Sequence, residues 1–337
     1  MCTKTQCAII PPHILEELAK RGSLSCKKTL NDTHRVLQQR NSILNNLLIQ
    51  DDKIGVGDRY VYDSLNQYNQ RVKLLRKEAD DAIDDVTAND VYEKSGFVRD
   101  YFKDALDLNS INDKGMDIIS NIRYGSDYNN AFWDGDEMTY GEGDQVQFKD
   151  FTSAIDVIAH ELMHGVTQFL ANLEYQSQPG ALNEHFSDVF GTIMKQKFYK
   201  QSCETANWLI GDELVTEKFP GTAIRSMKEP GTANDFDIQP AHMDDYFTGS
   251  ADNQGVHINS GIPNKAFYLT AVEIGIDDCA LIWFETLKVL WRTANFNDFL
   301  DSILPMAKKL SDEGKVNLQS AEIIANSFAQ VGLEQAV

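Results

Sequence analysis

The stretch most able to do chemistry is His160-Glu161-Leu162-Met163-His164. Histidines four residues apart lie one above the other on a helix face, so both imidazoles can reach one metal ion. Glu161 stands one step round, too far to be a third ligand but close to a water at the metal. The flanking Ile155, Val157, Ile158, Met163 and Val166 are apolar and predict a buried helix, where histidine and carboxylate need partners. Further on, Asn183-Glu184-His185-Phe186-Ser187-Asp188 opens the next helix. Glu184 would complete a His₂Glu ligand set, which leaves a fourth tetrahedral position for water. Asp188, one turn later on the same face, is placed to hydrogen-bond the far nitrogen of a ligand histidine. Two ligand histidines, a third carboxylate ligand and a neighbouring base are the parts of zinc-dependent hydrolysis.

Such residues need rigid elements to hold them. Residues 58–76 alternate around a polar turn at 64–67 and predict a strand hairpin. Apolar residues at helical spacing predict a helix over 87–106, with Thr87 as its cap. Short strands are expected at 118–124, 130–133 and 138–140. Amphipathic helices follow at 152–171, 183–199, 259–275, 278–293, 296–311 and 318–332. The expected fold is α+β with two lobes. Residues 51–151 form a β-rich lobe, 152–171 the central metal-binding helix, and 172–337 a helical lobe, with 1–50 set apart from them.

Composition bounds the partners. The chain has 337 residues, 42% of them hydrophobic, which calls for a packed interior. Its 31 Lys and Arg face 51 Asp and Glu, a net charge of −20. So acidic a chain repels phosphate backbones and anionic lipid, so neither nucleic acid nor a membrane is an expected partner. No apolar run is long enough to span a bilayer. Ala8-Ile9-Ile10 stops at Pro11-Pro12, far short of an export-signal core, which leaves cytoplasmic residence or an export route without an ordinary leader. Cys2, Cys7, Cys26, Cys203 and Cys279 are too few and too irregular for a disulfide framework. Residues 1–50 are basic: Lys4, Lys20, Arg21, Lys27, Lys28, Arg35 and Arg40 face only Glu16, Glu17 and Asp32. A small basic segment ahead of an acidic body fits either a docked pro-segment or chance at a terminus.

The HExxH and NExxSD motifs in this order resemble the thermolysin family of neutral metalloendopeptidases. Four further stretches fit that family: 128–135 (YNNAFWDG), 138–144 (MTYGEGD), 225–227 (RSM) and 252–261 (DNQGVHINSG). Gln254 departs from the family's usual Gly, with little effect expected. The resemblance implies one catalytic Zn²⁺ held by His160, His164 and Glu184. It implies that Glu161 is the general base that deprotonates water and then protonates the leaving amine. Tyr175 and His257 would hold the oxyanion, and Asp252 would orient His257. Arg225 would bind a substrate carbonyl, and Asn130 and Ala131 would pair with substrate backbone as an added strand. Phe148, Phe151, Val157, Ile210, Leu214 and Ile224 match the pocket beyond the scissile bond. All are apolar, so cleavage before Leu, Phe, Ile or Val is expected, that is, a bulky hydrophobic residue at P1′.

The family's paired Ca²⁺ site is expected to be lost. Asp156 and Asp212 remain, but Lys195, Asn207 and Leu209 stand at its other positions, and an ammonium repels a divalent cation. The segment 9–15 (IIPPHIL) followed by a short helix at 16–21 resembles the brief pro-segment of protealysin-type precursors, a branch of the same family. The resemblance implies secretion, a monomer, protein and peptide substrates, and the chain's own propeptide as inhibitor. Pro11-Pro12 would lie extended in or near the cleft. Zinc capping by Cys2, Cys7 or Cys26 is an alternative that no motif supports. An exopeptidase would need an acidic anchor for a free amine, and no such motif stands upstream of HExxH. A non-enzymatic binder would have no use for Glu161.

Overall fold

Strand β2 (Arg59–Asp63) carries the sheet of the first half because it pairs on both sides. The structure is a computed structural model and describes residues 7–32 and 55–335. These group into two units, 1–166 with 211–222 and 167–210 with 223–337, and the boundary falls within one helix.

In the first unit, β2 runs antiparallel to β3 (Lys73–Lys77), with a bulge between Val61 and Tyr62. It runs parallel to β4 (Ile118–Ile122), which is parallel to β6 (Met138–Tyr140). β6 is antiparallel to β5 (Ala131–Trp133), and β5 is antiparallel to β1 (Cys7–Ala8). The six-stranded order is therefore β1-β5-β6-β4-β2-β3, with the N-terminal segment as an edge. The expected short strands are all present: 138–140 as expected, and those at 118–124 and 130–133 shorter by two residues and one residue. α1 (Pro12–Lys20) begins at Pro12, earlier than the 16–21 expected. Pro11 is extended at φ −60 and ψ 144, whereas Pro12 occupies the first helical turn, where a missing N–H costs nothing. Residues 24–32 are helical (α2).

α3 (Val86–Leu106) lies against β2 and β4. Its cap is Asp85, not Thr87: the Asp85 carboxylate accepts the Ala88 N–H and is gripped by Arg123 at 2.8 and 2.9 Å. Beside it, the guanidinium groups of Arg59 and Arg76 each lie 3.7 Å from the Tyr92 ring centre.

α4 (Ile155–Leu170) contains the unit boundary. In the second unit, α5 (Ser177–Phe198) starts six residues before the expected position. Pro179 and Gly180 hid that first turn, yet proline is tolerated there. Gly180 is needed because a Cβ would stand 2.4 Å from Val256 Cγ1. α6 (Ala251–Asn259) packs on α5 and opens with Asp252, Asn253, Gln254 and Gly255 all at left-handed φ, 50 to 82°. Gln254 at φ 64 shows why glycine suits that position: a side chain there is strained. α7 (Gly261–Ile274), α8 (Ile276–Leu287), α9 (Phe296–Asp312) and α10 (Ser320–Ala329) complete the unit around Phe267, Trp283, Phe299 and Phe328. A short ribbon joins β7 (Leu209–Ile210) to β8 (Arg225–Ser226). No helix among the described residues is long and apolar enough to cross a membrane.

Candidate metal centre and peptide-binding edge

α4 is apolar on most sides: Ile155, Val157, Ile158, Leu162, Met163 and Val166 are all fully buried. Burial on this scale fixes the helix rotation and holds His160 and His164 inside, with exposures of 0% and 1%. Their rings meet edge-on, with Nε2 atoms 3.1 Å apart. Two nitrogens on one tetrahedral zinc, each about 2.0–2.1 Å from it, stand roughly 3.3 Å apart. The pair already has that spacing. Glu161 is also fully buried, and its Oε2 accepts the Trp133 backbone N–H at 3.0 Å. The proposed base is thus tied to strand β5.

That strand carries the residues expected to pair with substrate backbone. Asn130 and Ala131 precede and open it, both buried. The Ala131 carbonyl accepts the Ile9 N–H at 3.4 Å, and the Asn130 side chain accepts the Ile10 N–H and returns a bond to the Ile10 carbonyl. Residues 7–10 therefore occupy the edge, with Cys7–Ala8 as an added strand. Of the apolar residues expected to select the side chain after the cut, Phe148, Phe151, Val157 and Leu214 belong to the first unit and are fully buried. The ring of Phe219, which the sequence reading missed, lies 5.3 Å from Phe148. Ile210 and Ile224 are buried in the second unit, where the Ile224 N–H donates to the Ile210 carbonyl.

Also in the second unit, Tyr175 donates its hydroxyl proton to Glu184 Oε1 and lies 3.1 Å from His257 Nε2. Asp252 holds His257 twice, at 2.6 Å on Nδ1 and 2.7 Å on the backbone N–H. Burial works against a charge on His257, but Glu184 and Asp252 outweigh it and raise its pKa to about 9.

The buried Asp188 carboxylate takes two bonds from Arg225, at 3.0 and 2.8 Å, and one from Asn264 Nδ2 at 2.9 Å. Burial disfavours the Arg225 charge, but Asp188 more than restores it. Asn264 also meets His185 Nδ1 at 2.8 Å, and Trp283 Nε1 donates to His185 Nε2. An indole N–H needs an acceptor, so His185 is neutral with its proton on Nδ1. Burial accordingly pushes its pKa down to about 4. Asn264, Trp283 and His185 form the support that sequence reasoning overlooked. The first two stand on α7 and α8, outside every motif.

His160, His164 and Glu184 each offer one ligand atom, and these atoms all lie within 4.8 Å of one another. Two imidazoles and a carboxylate are a zinc donor set, and both spacing and burial fit that ion. The counterpart of the calcium pair is different. Lys195 is 5% exposed, and its ammonium donates to the Leu209 carbonyl at 3.0 Å. Asp156 accepts the Gly211 N–H.

Comparison with known proteins places the chain in a family. Residues 26–168 match the thermolysin metallopeptidase catalytic domain, and 171–333 match the thermolysin metallopeptidase alpha-helical domain. An extracellular metalloprotease of Pectobacterium carotovorum is 36% identical over 99% of this chain and 98% of its own. Protease PrtS of a Photorhabdus strain is 39% identical over 97% of this chain and 92% of its own. The solved precursor of protealysin, a metalloproteinase of Serratia proteamaculans, superposes with a TM-score of 0.85 at 36% identity, covering 97% of this chain and 99% of that one. The chain therefore belongs to the thermolysin family of metallopeptidases.

Proposed function

We propose that this metalloprotease is a zinc endopeptidase made with its own inhibitory segment, residues 1–50, and that it cuts before bulky hydrophobic residues. The observation that carries this reading is the gathering of His160, His164 and Glu184 ligand atoms within 4.8 Å. A zinc ion held there supplies a Lewis acid that polarises the scissile carbonyl and lowers the pKa of a bound water. Glu161 accepts the proton of the attacking water and delivers it to the leaving amine. The Trp133 N–H orients Glu161 for that task. Tyr175 and His257 donate to the oxyanion, and Asp252 keeps the imidazole aimed. Asn130 and Ala131 receive substrate backbone as they receive Ile9 and Ile10. Arg225, steadied by Asp188, binds a substrate carbonyl.

The apolar pocket of Phe148, Phe151, Val157, Leu214, Ile210 and Ile224 selects the residue after the cut. Complete burial of a large side chain there favours binding by about 1.5–3 kcal/mol. Lys195 supports the reading that the calcium pair is lost, because an ammonium already meets the Leu209 carbonyl. Secretion and action as a monomer complete the proposal, with protein and peptide substrates and neither nucleic acid nor a membrane as partner.

The test is hydrolysis of an end-blocked peptide, with and without a chelator, by wild type and two variants. Glu161→Gln should keep zinc and lose most activity; His164→Ala should lose both. Near-normal turnover by Glu161→Gln would sink the assigned base.

A further inference from the structure

The N-terminal segment touches the body at a second place. Beyond β1 and α1, helix α2 lies on the loop that leads into the peptide-binding edge. The Asn129 N–H donates to Thr29 Oγ1 at 3.0 Å, and its Nδ2 donates to Cys26 Sγ at 3.4 Å and to Asp144 Oδ2 at 3.2 Å. Asn129 Oδ1 accepts the Asp144 N–H at 2.8 Å. Ser25 donates to the same Asp144 oxygen at 2.6 Å. Lys28 donates to the Ser126 carbonyl at 3.3 Å and stands over the Tyr68 ring. Cys26 and Asn129 are fully buried and Thr29 is 1% exposed, so this is an interior polar contact, not a surface one. Desolvation raises the Cys26 thiol above its ordinary value, which suits a neutral acceptor for the Asn129 amide.

We infer that α2, docked on Asn129 and Asp144, is a second anchor that keeps residues 7–32 on the enzyme after the chain has been cut between about residues 41 and 58. This rests on the reading of that segment as the inhibitor. β1 has only two residues, too short a strand to bind strongly by itself. A second contact on the same short segment turns rebinding of the first into an intramolecular event and so multiplies retention. The anchor is also wired to the substrate residues. Asn129 adjoins Asn130, and Asp144 Oδ1 accepts the N–H groups of Val146, Gln147 and Phe148. Cutting the chain and waking the enzyme are then separate events, and the body surface around Asn129 is a binding site for residues 7–32 supplied in trans.

The experiment uses the full chain as Glu161→Gln, with a recognition site for a sequence-specific protease placed between residues 41 and 54. After cutting, gel filtration and mass spectrometry follow the N-terminal fragment. The fragment should travel with the body. The pair Ser25→Ala and Thr29→Val, which alters only the segment, should speed its dissociation by about tenfold or more. Immediate loss of the unaltered fragment, or equal retention of the altered one, overturns the anchor. The released fragment is then added to mature wild-type enzyme with a blocked peptide as substrate. Binding without inhibition would support the anchor while removing the inhibitor reading.

Discussion

Asn130 and Ile10 exchange two hydrogen bonds: the Ile10 N–H donates to Oδ1 at 3.0 Å, and Nδ2 donates to the Ile10 carbonyl at 3.2 Å. One side chain thus reads both polar groups of a single residue in the segment on the edge. The next residue, Pro11, has no N–H to continue the strand, and Pro12 turns the chain into α1. The segment is held on the edge by backbone polarity and then led away from it.

Asn130→Ala removes a donor and an acceptor that peptide backbone would use. Loss of about 1–1.5 kcal/mol of binding should raise KM for a blocked peptide roughly tenfold, with a smaller change in kcat. Steady-state kinetics on mature enzyme tests this. An unchanged KM would remove Asn130 from the substrate contacts.

Asp252→Ala leaves His257 without the partner that fixes its ring and its backbone N–H. We expect kcat to fall about tenfold or more, with zinc content retained because no ligand is altered. Metal analysis beside kinetics separates this from metal loss. Full activity would show that His257 needs no orienting carboxylate.

Specificity should follow the apolar pocket. Peptides with Leu or Phe just after the scissile bond should be cut far faster than those with Asp or Lys, whose charge would be desolvated without a partner. Product mapping by mass spectrometry decides this, and a majority of charged residues at that position would refute the pocket.

Acid stability should depend on Glu78. Hydrogen bonds from Arg59 hold its pKa down to about 2, from an ordinary 4.5. A depressed carboxylate stabilises the fold above about pH 4.5, and that stabilisation fades as pH falls toward about 2. Glu78→Gln in an inactive background should cost about 1–2 kcal/mol near neutrality, after allowance for solvent screening, and progressively less below pH 4. Urea titrations at pH 7 and pH 3 measure the difference. An equal loss at both would contradict the linkage.

Much of the site is legible in the chain because its chemistry is local. His160, Glu161 and His164 lie within five residues of one helix, so helical period alone brings both histidines to one face. Glu184 and Asp188 sit one turn apart on α5 for the same reason. The hairpin, the short strands and the six main helices follow from apolar periodicity, with errors at their ends. The Asp85 cap was missed because capping depends on which side chain reaches the first free N–H, and the early start of α5 because Pro179 and Gly180 mask a helical turn.

Other parts were decided by the tertiary structure. Nothing in the order of residues says that Asp188 is held by Arg225 and Asn264, or that Trp283 supports His185 from 98 residues away. The same holds for Trp133 and Glu161, and for Asn129 with Thr29 and Cys26. Those contacts join elements distant in the chain, and no local period encodes them. The sequence by itself determined which two helices carry the ligands, and that the base lies between the histidines on the first. Only the packing of buried polar groups, each requiring a partner, decided how those residues are held and where the N-terminal segment docks.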